Sequence, residues 1–158
     1  MMRSRRKRVG LISDTHGLLR PEALAFLRDC DAIIHGGDIG DASILEALGK
    51  IAPVSAVRGN NDERDAWAAA VPETQRLSIG GVTIYVLHAL ALIDIDPAAS
   101  GIAVVVSGHS HRPLVEERGG VLYVNPGSAG PRRFKLPVSV GELLIENRIV
   151  SARIVELS

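Results

Sequence analysis

The chain has 158 residues, enough for one domain with a sizeable core; 46% are apolar while 3% are aromatic. Lys plus Arg equal Asp plus Glu at 18 each, which excludes a strong overall attraction to polyanions. No apolar run approaches the roughly 20 residues of a membrane span, the basic start lacks a signal peptide's apolar segment, and the lone Cys30 excludes an internal disulfide or a multi-thiolate metal site; a cytoplasmic protein is expected.

In chain order, Arg3, Arg5, Arg6, Lys7 and Arg8 crowd the start, and residues 1–7 are read as a solvated tail before a single domain at 8–158. Nucleic-acid contact through this tail is the weaker reading. Residues 9–13 predict a strand that ends in Asp14-Thr15-His16-Gly17. Pro21 suits a first helical turn, and Ala23, Leu24, Phe26, Leu27 and Cys30 recur at helical spacing, with Cys30 packed at the helix end. A second strand at 32–35 leads into Gly36-Gly37-Asp38-Ile39-Gly40-Asp41, and Asp41 can cap a helix buried through Ile44, Leu45, Ala47 and Leu48. A third strand at 54–57 runs into Arg58-Gly59-Asn60-Asn61-Asp62. From Glu63 a further helix is expected, carrying Trp67 as a packing residue and closed by Val71-Pro72.

The second half reads differently. Residues 76–79 and 82–87 predict a hairpin through Gly80-Gly81, and the second run ends directly in His88. One helical turn at 97–100 precedes a strand at 102–106, which continues through Ser107-Gly108 into His109-Ser110-His111. Strands at 114–118 and 121–125, a loop at 126–137 and paired strands at 138–145 and 149–155 complete the chain. Helices early and hairpins late predict an α/β (α+β) fold of two packed mixed sheets with helices outside.

Five of these runs deliver polar residues at their carboxyl ends, where ligands gather in open α/β sheets, so distant segments can converge. The candidate donors are Asp14, His16, Asp38, Asn60, His88, His109 and His111. Without thiolates they do not suit a structural zinc site, whereas oxygen and imidazole donors suit Mn²⁺, Fe or catalytic Zn²⁺. They are too many for one ion that keeps an open position, so two ions are expected. Asp38, set between Gly37 and Gly40, is the natural bridging carboxylate. Two ions roughly 3.5–4 Å apart can polarise a phosphoryl oxygen and hold a bridging hydroxide nucleophile, which points to phosphate-ester hydrolysis. His35, on an apolar strand, is read as structural; Arg132 and Arg133 are a solvated face, and Asp94 and Asp96 are loop carboxylates.

Taken together, Asp14-x-His16, Gly37-Asp38-x-x-Asp41, Gly59-Asn60-Asn61-Asp62, His88 and Gly108-His109-x-His111 resemble, in order, the signature of the calcineurin-like metallophosphoesterases. Residues 107–113 and Asn125-Pro126-Gly127-Ser128 resemble their small single-domain YfcE-type phosphodiesterase subgroup. The resemblance implies a two-sheet sandwich flanked by helices. It places Asp14, His16, Asp38 and His111 around one divalent ion and Asp38, Asn60, His88 and His109 around the other, with Mn²⁺ first and Fe, Zn²⁺ or Ni²⁺ compatible. Asp41 and Asp62 would orient ligands or substrate, Asn61 would steady the phosphoryl oxygens, and Arg112 either joins it or is solvated.

The chain departs from larger members at Asn61, where they carry a His proposed as the acid for the leaving group; a small phosphodiester with an acidic leaving group is therefore expected. It departs again at the apolar loop 89–96, where the subgroup often has a further Gly-His pair. The same fold also serves as a poorly active protein-binding scaffold. The complete donor set favours the enzyme, with no membrane partner and a homo-oligomer left open.

Overall fold

Alternation of apolar side chains in the first strand sets the layering. In the computed structural model, which describes residues 6–133 and 135–157, β1 (Lys7–Ile12) turns Val9 and Leu11 to one face and Ile12 to the other, as a period of two requires. It pairs in parallel with β2 (Ala32–His35) and antiparallel with β9 (Ser139–Glu146). With β3 (Val54–Ala56) and β10 (Ile149–Glu156) these make a mixed sheet in the order β10-β9-β1-β2-β3. The second sheet takes β4 (Thr74–Ile79), β5 (Val82–Leu87), β6 (Val104–Val106), β7 (Leu114–Arg118) and β8 (Val121–Asn125) in the order β4-β5-β6-β8-β7. Its central strands β5, β6 and β8 run parallel.

Val9, Leu11, Ile34, Ile84, Val104, Val106, Val124 and Leu143 interlock between the two sheets. Each fully buried aliphatic side chain contributes roughly 1.5–3 kcal/mol, enough for the sheets to hold strained loops at their ends. α1 (Pro21–Leu27) and α2 (Ala42–Gly49) cover the outer face of the first sheet, where Ala23, Leu27, Ile44 and Leu48 pack with Ile12 and Ile33. The outer face of the second sheet has a different cover. Leu90, Ile93 and Ile95 of the 89–96 loop pack on Tyr85, Leu87 and Val105, which accounts for the apolar character of that loop.

The structure departs from expectation at two places. The helix from Glu63 is replaced by 3₁₀ turns at Asn60–Asp62 and Ala66–Ala70, with Trp67 packed toward the layer of α1 and α2. The cause is non-local: the Asp62 carboxylate turns inward to accept the backbone N–H groups of Ile39, Gly40 and Gly59, each at 3.0 Å. The chain starts again at Asp65, and Val71, extended before Pro72, stops it. Cys30 lies beyond the end of α1, buried in the turn that follows.

Arg8 is not solvated; its guanidinium donates to Glu142 Oε1 at 2.7 Å and to the Phe26 and Arg28 carbonyls at 2.6 and 2.9 Å, satisfying the end of α1. Arg3 and Arg5 lie outside the described residues. Among the described residues no helix is long and apolar enough to cross a membrane.

Candidate metal centre

The parallel strands aim their carboxyl ends at one edge of the sandwich. Asp14 and His16 follow β1, Asp38 follows β2, Asn60 follows β3, His88 follows β5, and His109 and His111 follow β6. They collect into two groups: donor atoms of Asp14, His16 and His111 all lie within 4.8 Å of one another, and so do those of Asp38, His88 and His109. Asn60 joins the second group, its Oδ1 3.1 Å from His88 Nε2. Asp38 stands between the groups, its Oδ2 3.3 Å from His88 Nε2 and 3.8 Å from His16 Nε2.

Surrounding hydrogen bonds decide which atoms face inward. Asp14 Oδ2 accepts from Ser13 Oγ at 2.7 Å and from the His109 backbone N–H at 3.1 Å. Its other oxygen, Oδ1, is left facing His111 Nε2 at 3.4 Å and His16 Nε2 at 4.0 Å. Asp38 accepts from both nitrogens of Asn61, the backbone N–H at 2.9 Å and Nδ2 at 3.3 Å. His88 Nδ1 donates to the Gly36 carbonyl at 2.7 Å, which fixes the tautomer and turns the Nε2 lone pair inward. That lone pair meets Asn60 Oδ1 at 3.1 Å and Asp38 Oδ2 and His109 Nδ1 at 3.3 Å.

Asp14 Oδ1 and His16 Nε2 are buried with no hydrogen-bond partner among the described residues. Leaving such groups unsatisfied is costly, and converging lone pairs without donors are what a cation resolves. The residues therefore fit divalent metal ions.

Burial pushes the Asp14 carboxyl up despite the Ser13 hydroxyl and the nearby His88 and His111, a carboxylate short of positive charge. Burial likewise pushes His111 down, against the pull of Asp14. For Asp38 burial works upward, but the His88 contact and the Asn61 N–H outweigh it and hold the carboxyl below its ordinary range. His88 is held above its own range, burial being overcome by Asp38 and the Gly36 carbonyl.

The backbone is strained at these same positions. Asp14, His16, Asp38, His109 and His111 have φ of 54°, 46°, 54°, 70° and 62°. Left-handed backbone at a residue other than glycine costs of order 1–3 kcal/mol and clusters where function demands it. Space is equally tight: a Cβ on Gly59 would collide with Asp38, and one on Gly108 with Ser13 Oγ and Asp14 Oδ2.

The donor loops are supported by residues that the sequence marked only as a motif or as structural. Asn125, at the end of β8, donates from Nδ2 to the Gly108 carbonyl at 2.9 Å and to Ser110 Oγ at 3.2 Å, pinning the loop that presents His109 and His111. Ser128 Oγ donates to the Asp14 carbonyl at 3.1 Å. His35 accepts the Gly37 N–H on Nδ1 and meets Thr15 Oγ1 with Nε2, both at 3.0 Å. With both ring nitrogens engaged and burial driving its pKa to about 3, His35 is a neutral brace between two ligand loops.

The remaining expected site residues are dispersed. Asp41 is exposed at the N-cap of α2, accepting from the Ser43 N–H at 2.9 Å. Asp62 is buried behind the loops it stitches together. Asn61 is exposed beside Asp38, and Arg112 is exposed with its backbone N–H on Ser110 Oγ. A cleft of about 530 Å³ opens beside Asn60, His88 and His109.

Two mixed sheets carrying this donor set at their loop edge define a metal-dependent phosphoester hydrolase. Residues 8–148 match the model of the calcineurin-like phosphoesterase superfamily domain, and the chain belongs to that superfamily. It is 32% identical over 163 residues to a probable metallophosphoesterase of Methanothermobacter thermautotrophicus, covering 93% of this chain and 91% of that protein. It is 33% identical over 116 residues to the phosphodiesterase YfcE of Escherichia coli, covering 70% of this chain and 62% of that protein. Among solved structures, an archaeal phosphodiesterase superposes with a TM-score of 0.77 at 21% identity, over 94% of this chain and 99% of the other.

Proposed function

We propose that the chain is a phosphodiesterase that works with two divalent ions, one held by Asp14, His16, Asp38 and His111 and the other by Asp38, Asn60, His88 and His109. The observation that carries this reading is the place of Asp38 Oδ2 between His16 Nε2 at 3.8 Å and His88 Nε2 at 3.3 Å, where one carboxylate serves both groups. Bound there, such ions supply charge neutralisation at the phosphoryl oxygens and a hydroxide nucleophile at neutral pH. Of the metals that imidazole, carboxylate and amide oxygen without sulfur admit, Mn²⁺ is taken first, with Fe, Zn²⁺ and Ni²⁺ compatible.

The chain's own residues do the rest. Ser13, Asn61 and the Gly36 carbonyl hold the donor side chains in their inward orientation. Asn61 Nδ2, exposed at the mouth of the site, can donate to a phosphoryl oxygen but cannot deliver a proton to the departing group. Diesters with acidic alcohols, which leave without protonation, are the matching substrates.

Mn²⁺ titration against bis(4-nitrophenyl) phosphate tests the reading. Turnover should rise with metal and saturate as two ions bind per chain. Negligible turnover in fully loaded protein would instead assign the chain to the scaffold class.

A further inference from the structure

Beside the second donor group, the cleft of about 530 Å³ has a feature that phosphate chemistry alone does not require. Its floor is apolar: Tyr85 and Leu87 of β5, whose rows continue directly into His88. Ala91 and Leu92 of the 3₁₀ turn Leu90–Leu92 border the cleft. Leu90 and Ile93 pack inward on the second sheet, but Leu92 faces out and is 77% exposed at the edge of the cleft. A single exposed leucine is ordinary at a surface; what gives this one a use is its place at the edge of a cleft with an apolar floor.

Carboxylates outnumber cationic side chains around this floor. Glu63, Glu73 and Asp94 line the cleft against a single guanidinium, Arg58, which is already paired with Glu73 at 2.9 Å. An anionic group entering here meets Glu63 and Asp94, while the one guanidinium of the lining already donates from Nη2 to Glu73.

We infer that this cleft binds one ester substituent of the phosphodiester, and that it takes an uncharged aromatic ring, aryl or nucleobase, while rejecting an anionic one. The inference rests on the phosphodiesterase reading for the position of the phosphate at Asn60, His88 and His109, which form the inner end of the cleft. Tyr85 and Leu87 give the ring a floor, Leu92 flanks it at the rim, and Glu63 and Asp94 set the charge filter. Leu92 is thus a specificity-determining residue that touches neither donor group.

The test separates ring binding from catalysis. Metal-free protein is titrated with 2-naphthol, adenosine and the anionic 2-naphthoate while methyl resonances of Leu87, Ala91 and Leu92 are followed by NMR. Saturable shifts at these methyls are expected for 2-naphthol or adenosine, the tighter of the two identifying the ring class, with 2-naphthoate at least about tenfold weaker. Leu92→Ser should weaken the uncharged ring roughly fivefold to tenfold, and the double variant Glu63→Lys, Asp94→Lys should bring 2-naphthoate up to the level of 2-naphthol. In Mn²⁺-loaded enzyme Leu92→Ser should raise KM for an aryl diester by the same factor at unchanged kcat.

Rings that leave these methyls unshifted, or a naphthoate that binds as well as naphthol, would overturn the inference even if aryl diesters are hydrolysed. Saturable ring binding in a protein that hydrolyses no diester would uphold the cleft and remove the phosphodiesterase reading instead.

Discussion

Two single side chains set limits on what this site can do. Asn61 donates its backbone N–H and one Nδ2 hydrogen to Asp38, at 2.9 and 3.3 Å. It positions a carboxylate and offers no acidic proton. Asn61→His should therefore raise turnover of alkyl diesters relative to aryl diesters, within the roughly 10²–10⁴-fold that a positioned acid contributes. Equal scaling of both substrate classes, measured as the ratio of their kcat/KM values, would remove Asn61 from the proton account.

His35 is the second case. Its folded pKa of about 3 lies below the ordinary 6.5, so between these values the unfolded chain binds the extra proton. Stability from this group is fully present above about pH 6.5 and falls by roughly 1.4 kcal/mol per pH unit as the solution is acidified toward pH 3. Denaturant unfolding of metal-free protein at pH 7 and pH 5 should show wild type losing roughly 2 kcal/mol more than His35→Gln. Equal losses would mean that the imidazole does not stay neutral.

At the level of elements, the site is a set of strand-end loops braced against one another. β1, β2, β3, β5 and β6 each deliver donors, and β8 delivers a brace: Asn125 reaches back from its end to hold the loop of His109 and His111. Removing a group that orients metal ligands typically costs 10–100-fold in affinity. Asn125→Ala should thus weaken metal binding by about that much, measured by competition with a chelator, while the apo-protein keeps its circular dichroism. Undiminished affinity would show that the loop holds its shape without β8.

How far these elements could be read from sequence differs along the chain. The strands ending at Ile12, His35, Leu87 and Val106 were legible because each apolar run stops at a polar cluster, and Gly37 and Gly40 announced the turn around Asp38. The helix expected from Glu63 failed because local spacing cannot show that Asp62 is claimed by the amides of Ile39 and Gly40. The left-handed backbone at Asp14, His16, Asp38, His109 and His111 was equally invisible, since none of these is glycine. Their strain is imposed by the fold around them. The anchoring of Arg8 was hidden for a related reason, its partners Glu142, Phe26 and Arg28 meeting it only after the sheet and α1 come together.

For the whole molecule, the two sheets divide the work. The first supplies Asp14, His16, Asp38 and Asn60, the second His88, His109 and His111, so neither holds a complete donor set. The apolar layer of Leu11, Ile34, Ile84 and Val106 sets their separation, which couples metal binding to the integrity of the sandwich. The direct measurement is anomalous diffraction from crystals grown with Mn²⁺. Two peaks per chain are predicted, both within ligand distance of Asp38, one shared with Asp14, His16 and His111 and the other with Asn60, His88 and His109. A single peak away from Asp38, or none at saturating Mn²⁺, would contradict the account.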